Sequence, residues 1–168
     1  MMRNKARGFT LVEIVIAIMV VSIGLTATMR LVPLLLQSAA ASRHIAVCER
    51  LGFDMLAELD LLPFEDPESG GFGLEAGESS ATRTLFDDID DYHGYSETPP
   101  STKNGSAIDG ASGYTRSVLV RNVNPADYTE FRTDGTTDAK LITVTVSRGG
   151  MPPYTVNTVR LKGVERSP

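Results

Sequence analysis

The sequence predicts an α+β protein: a long N-terminal membrane-spanning helix whose outer half packs on a small antiparallel β-sheet. Three patterns carry this prediction. Phe9 to Met29 is a run of twenty-one residues with Glu13 as its only charge. Ile45, Cys48, Leu51, Met55, Leu59 and Leu62 then recur at spacings of three and four, which puts them on one helix face. The last third of the chain holds three β-branched segments with alternating polarity. With 168 residues and 18.1 kDa, there is room for one domain and an appendage.

The first element begins after a short basic stretch. Residues 1–8 contain Arg3, Lys5 and Arg7 and no acid. As a helix at 1.5 Å per residue, residues 9–29 span roughly 31 Å, close to the hydrocarbon thickness of a bilayer. The run is apolar all round, as lipid contact requires. The cations before it stay on the cytoplasmic side, which puts the chain beyond Arg30 outside. Glu13 is the anomaly, because a carboxylate in the middle of a membrane helix costs on the order of 2.5–3.5 kcal/mol. A plain anchor leaves it unexplained. A secretory signal peptide cut within Ser38-Ala39-Ala40-Ala41-Ser42 would carry Glu13 inside its apolar region and Arg30 before the cut.

Gly24 within the run and Pro33 after it can loosen or bend the helix, which continues past the membrane. Its outer half should run to about Leu62 and stop at Pro63-Phe64-Glu65-Asp66-Pro67. His44 and Cys48 read as helix residues, Cys48 as a small core hydrophobe. Residues 63–113 read as a long acidic loop region. Residues 49–111 hold fifteen acids against three bases, and 112–168 hold eight bases against five acids. The strands follow at Tyr114–Val123, Ala139–Arg148 and Tyr154–Lys162, making a sheet over 114–163. Gly149-Gly150-Met151-Pro152-Pro153 joins the last two as a hairpin, with Ile142, Val144 and Val146 facing one side and Thr143 and Thr145 the other.

The bulk numbers exclude several functions. A net charge of −5 argues against a nucleic-acid partner. One cysteine allows neither an internal disulfide nor a cysteine-rich zinc site. No nucleophile elbow, HExxH pair or phosphate-binding glycine loop supports His93 as part of an active centre, so no enzyme is expected. The run Asp87, Asp88, Asp90 and Asp91 has the oxygen chemistry of a Ca²⁺ site but not the spacing of an EF-hand. Solvated or helix-capping charge is the commoner use of such a run, displayed outward with the sheet.

Gly8-Phe9-Thr10-Leu11-Val12-Glu13 resembles the processing motif of type IV pilins and type II secretion pseudopilins. The resemblance implies residues 1–8 as a leader, removed by prepilin peptidase between Gly8 and Phe9, and N-methylation of Phe9. It implies a transmembrane and filament-core helix at 9–33 and an extracytoplasmic pilin-like domain at 34–168. Glu13, fifth in the mature chain, would then meet the new cationic amine of its own or a neighbouring subunit during assembly. Other pilin subunits and an inner-membrane assembly platform are the implied partners. Localisation would be the bacterial inner membrane, N-terminus cytoplasmic and C-terminal domain periplasmic, then the pilus.

Glu78–Thr84 followed by Leu85–Gly94, together with Ala139–Val146 and Phe64-Glu65-Asp66, resembles the MshD-type minor pilins of the mannose-sensitive haemagglutinin pilus. That likeness implies a low-abundance subunit for pilus biogenesis. The paired C-terminal cysteines of many major pilins are absent. A type II secretion pseudopilin is the alternative, since both groups share the leader.

Overall fold

The computed structural model describes residues 9–66, 71–75 and 77–163. One long helix, α1 (Leu11–Leu59), is followed by five strands: β1 (Ser96–Glu97), β2 (Tyr114–Asn124), β3 (Asp127–Phe131), β4 (Ala139–Arg148) and β5 (Tyr154–Leu161). The chain divides into two compact units, Met1–His44 and Ile45–Pro168.

In the first unit α1 is apolar with a mean hydropathy of 2.3 in its most apolar window, none of which is buried. Pro33 lies inside the helix, which continues through it. Ser22 and Thr26 turn their hydroxyls back on carbonyls four residues earlier, Ile18 and Ser22, each at 2.7 Å. This satisfies the hydroxyls inside the helix, so they can face an apolar medium at little cost.

The second unit is built on an antiparallel sheet ordered β1-β2-β4-β5, with β3 pairing the end of β2. The β2–β4 register runs from Tyr114↔Arg148 to Asn122↔Lys140, and β4–β5 from Val146↔Tyr154 to Ala139↔Leu161. Cys48, Leu51, Met55 and Leu59 of α1 are all buried. Met55 and Leu59 join Phe86, Ile89, Tyr92, Tyr95, Val118, Val120, Ile142 and Val144 in one cluster; Cys48 and Leu51 join Ala111, Tyr114 and Val146 in another. Gly52 lets the helix approach β5: an added Cβ there would sit 3.1 Å from Val156 Cγ1.

The expected α+β architecture is present, as are the hairpin of β4 and β5 and the facing of Ile142, Val144 and Val146. Details differ. The helix ends at Leu59, and Ile45 is exposed while its stripe partners Cys48, Leu51, Met55 and Leu59 are buried. Leu62 still packs on the core from beyond the helix end. The sheet reaches back into the supposed loop, because β1 pairs Ser96 with Ser117 and Glu97 with Arg116. Two 3₁₀ turns, Arg83–Leu85 and Asp90–Tyr92, also lie within that region. β3 is a strand beyond the three read from sequence; all five of its residues are exposed, so it lacks the half-buried alternation by which strands are read.

Candidate functional site: the N-terminal processing and assembly segment

Gly8 lies outside the described residues. Phe9, the other side of the expected cleavage, is 79% exposed. Glu13 is exposed on the first turn of α1 and forms a reciprocal pair with Thr10. The Glu13 amide donates to Thr10 Oγ1 at 3.3 Å, and the Thr10 amide donates to Glu13 Oε2 at 3.5 Å. This is a capping box, Thr10-Leu11-Val12-Glu13, in which two helix-end donors find side-chain acceptors. Its sequence signature is T-x-x-E, which Thr10 and Glu13 supply. A carboxylate in the first turn also favours the positive end of the helix dipole. From Glu13 the groove along Ile14, Ala17, Ile18, Val21 and Ser22 follows one helix face.

The acidic run sits in the second unit and is mostly not a displayed surface. Asp87 is exposed, whereas Asp88, Asp90 and Asp91 are about as buried as the core. Asp88 Oδ1 accepts the amides of Asp90 at 2.5 Å and Asp91 at 3.1 Å. Asp91 Oδ2 accepts those of Asp87 at 2.9 Å and Asp88 at 3.1 Å. Asp90 pairs with Lys140 Nζ at 2.7 Å, and the same ammonium donates to the Phe64 carbonyl. Asp88, Asp90 and Asp91 therefore have separate tasks, amide capping for Asp88 and Asp91 and ion pairing for Asp90. Burial pushes the Asp88 carboxyl up to about 6, helped by Asp90 and opposed by hydrogen bonds from the amides of Asp91 and Asp90. Burial also raises Asp91 to about 7, and it raises Asp90 against the pull of Lys140.

Lys140 and Arg116 lie on the inward face of the sheet, in line with Ile142 on β4 and Val118 on β2. Two cations on a core face require internal anions. Arg116 meets Glu97 Oε1 with Nη2 at 2.5 Å and Nε at 2.8 Å, and donates to the carbonyls of Leu51 at 3.0 Å and Ser101 at 2.7 Å. Arg83 meets Glu97 at 2.8 Å and Glu58 at 3.1 Å. Tyr92 donates to Glu58 at 2.5 Å. Burial alone would raise Glu97; the Arg116 hydrogen bonds and charge reverse that and hold its carboxyl below the usual range. For Arg83, burial opposes the charge while Glu58 and Glu97 outweigh it. This network ties the outer end of α1, the loop and β2 together. Its chemistry is structural, since every group is held by a partner inside the fold.

Residues 3–29 match the family model described as the prokaryotic N-terminal methylation motif. No curated protein and no solved structure matches the chain. The motif, the long apolar helix and the small antiparallel sheet define a membrane-anchored protein of prepilin type, a substrate for prepilin peptidase and for N-methylation. The motif supports a place in the type IV pilin and pseudopilin superfamily.

Proposed function

We propose that the chain is a minor pilin of a type IV, MSHA-like pilus, cut after Gly8, N-methylated on Phe9 and active in pilus biogenesis. The observation that carries this reading is the methylation motif at 3–29 running directly into a fully exposed apolar helix. A helix that exposes Ile14, Ile18, Val21, Leu25 and Leu35 in the isolated chain needs an apolar medium. Lipid supplies it before assembly, and neighbouring helices supply it in a filament core. The N-terminus stays cytoplasmic and the domain beyond residue 34 is periplasmic, following the three leader cations. Prepilin peptidase, other pilins through the helix, and the inner-membrane assembly platform are its partners.

Glu13 has a role in assembly. Cleavage places an amine on Phe9, and methylation preserves its positive charge. The carboxylate then pairs with that amine in its own subunit or a neighbour, since a paired charge in a low-dielectric core is far less penalised than a lone one. The pseudopilin of a type II secretion system is the second reading, supported by the same motif. Co-purification separates the two: other minor pilins support the first and secretion-channel components the second. Intact mass and N-terminal sequencing of the mature protein test the common part. The expected product begins with N-methyl-Phe at residue 9, and a start near Ala41 or an uncut Met1 would overturn it.

A further inference from the structure

The chain has one cysteine and so no internal disulfide, yet its core holds an amine pressed against a carboxyl. Lys140 Nζ on β4 lies 2.7 Å from Asp90 Oδ1, and the two side chains are 1% and 3% exposed. Despite that approach, Asp90 Oδ1 has no hydrogen-bond partner among the described residues. The Lys140 ammonium donates instead to the Phe64 carbonyl, and the centre of the Phe64 ring lies 4.1 Å from Nζ. A buried ion pair ordinarily offsets its desolvation through hydrogen bonds of good geometry; this one has the close contact without the bond. A third acid adjoins the pair. Asp88 is 1% exposed, and its Oδ1 accepts the Asp90 amide at 2.5 Å. Its Oδ2 is buried with no hydrogen-bond partner among the described residues. Lys162 and Glu65 supply the contrast: they too meet at 2.7 Å, but half exposed, where water stabilises both charges.

We propose that Lys140 and Asp90 condense to an intramolecular isopeptide bond, with Asp88 as the base that carries the protons. Asp88 takes a proton from the Lys140 ammonium, and the freed Nζ lone pair attacks Asp90 Cγ. A Nζ–Cγ bond forms, a Cγ–O bond breaks, and the oxygen leaves as water with the two protons that nitrogen loses. Ammonium and carboxylate thus become a neutral amide and water, with no oxidant, reductant or other reactant. Burial favours this outcome, because two charges that are costly in a low-dielectric core disappear. Holding the partners in contact makes the step intramolecular, which in well-oriented systems is worth effective molarities of about 10⁵–10⁸ M. Burial, with Asp90 adding to it, pushes the Asp88 carboxyl up to about 6, close to the pH at which a general base both takes and returns protons. The product ties β4, an interior strand of the sheet, to the Asp90–Tyr92 turn and closes a covalent loop that contains β2.

The test is peptide mapping by mass spectrometry on the full chain purified in detergent. The peptide holding Asp90 should be joined to the one holding Lys140, the pair lighter by one water than its two parts. Glu65 and Lys162 should remain unjoined. The joined pair is the readout, because a succinimide at Asp109-Gly110 or Asp134-Gly135 also removes a water but joins no peptides. K140R keeps a cation on β4 while its guanidinium is a poor nucleophile, so no joined pair is expected. D88N leaves Lys140 and Asp90 in place and should lower the joined fraction at least about tenfold, with near-UV circular dichroism confirming the fold. The wild-type map decides the matter even if a variant does not fold. Unjoined peptides in the wild type, a pair retained in K140R, joining of Glu65 to Lys162, or full joining in folded D88N would each overturn the proposal.

Discussion

Glu97 pairs with two buried arginines, and replacing it with glutamine isolates its charge. Its side chain is 9% exposed, and those of Arg83 and Arg116 are 4% and 1% exposed. In E97Q, Arg83 keeps Glu58 and the Ser101 carbonyl, but Arg116 keeps only the carbonyls of Leu51 and Ser101. One guanidinium is then buried without any counter-charge. Removing one partner of a buried ion pair costs about 3–5 kcal/mol, and the carbonyls left to Arg116 place the expected loss near the lower end, about 3 kcal/mol. Glu130→Gln supplies the contrast. Its pair with Arg132 at 2.8 Å is between side chains 48% and 45% exposed, where a loss of about 0–1 kcal/mol is expected. Urea unfolding of the full chain in detergent measures both. The chain has no Trp, so near-UV circular dichroism would report on Phe86, Tyr92 and Tyr95, whose ring centroids lie 4.9–5.9 Å apart in edge-on contacts. If E97Q costs no more than E130Q, the buried network does not hold this unit together and the reasoning fails.

Acid should reproduce part of that loss. Glu97 has a folded carboxyl held below its ordinary value by Arg116, so its contribution is complete above the unfolded value of about 4.3 and disappears as pH falls through the folded value. The difference in stability between wild type and E97Q should therefore narrow below about pH 4.3 in urea titrations at fixed ionic strength. Leu51→Ala removes a fully buried side chain from the contact of α1 with Tyr114 and Val146; about 2–5 kcal/mol should be lost in the same assay. At the N-terminus, T10V deletes the hydroxyl half of the capping box and E13Q keeps an acceptor but removes the charge. Under the assembly role proposed for Glu13, sheared filaments should still contain T10V and lack E13Q; the reverse pattern would assign Glu13 to capping alone.

The architecture was legible because apolar periodicity is a local property. The membrane run and the alternation of Ile142, Val144 and Val146 can each be read from a dozen residues. Lys140 extends that same alternation inward, yet nothing local says that a lysine two residues before Ile142 belongs in the core. Its partner Asp90 lies fifty residues earlier and is delivered by the fold. For the same reason the acidic run read as an outward face: the amides that cap Asp88 come from a 3₁₀ turn with no side-chain signature, and those that cap Asp91 come from Asp87 and Asp88 just before it. Glu97 and Arg116 face each other only through the β1–β2 register, and a two-residue strand is too short to show a period. Ile45 fits the stripe by spacing but is exposed, one turn before the first buried stripe residue, Cys48.

Glu13 now has two accounts, and they operate on different chains. The capping box closes between Thr10 and Glu13 within one helix, so it needs neither cleavage nor a neighbour. It explains how a carboxylate can sit at the start of this apolar run: it lies in the first turn, beside amides that α1 would otherwise leave without acceptors. But an amide-capping acceptor does not require a charge, and glutamine serves the same position in capping boxes. The excess over what capping needs is the negative charge itself, held four residues from Phe9. Under the proposed cleavage after Gly8, that charge gains a positive partner only once the leader has gone. The capping geometry would thus keep Glu13 in place at the helix start in the uncut chain, and the new amine would give its charge a function. The charge-removing E13Q and the cap-removing T10V separate these two contributions, which a single alanine at Glu13 would abolish together.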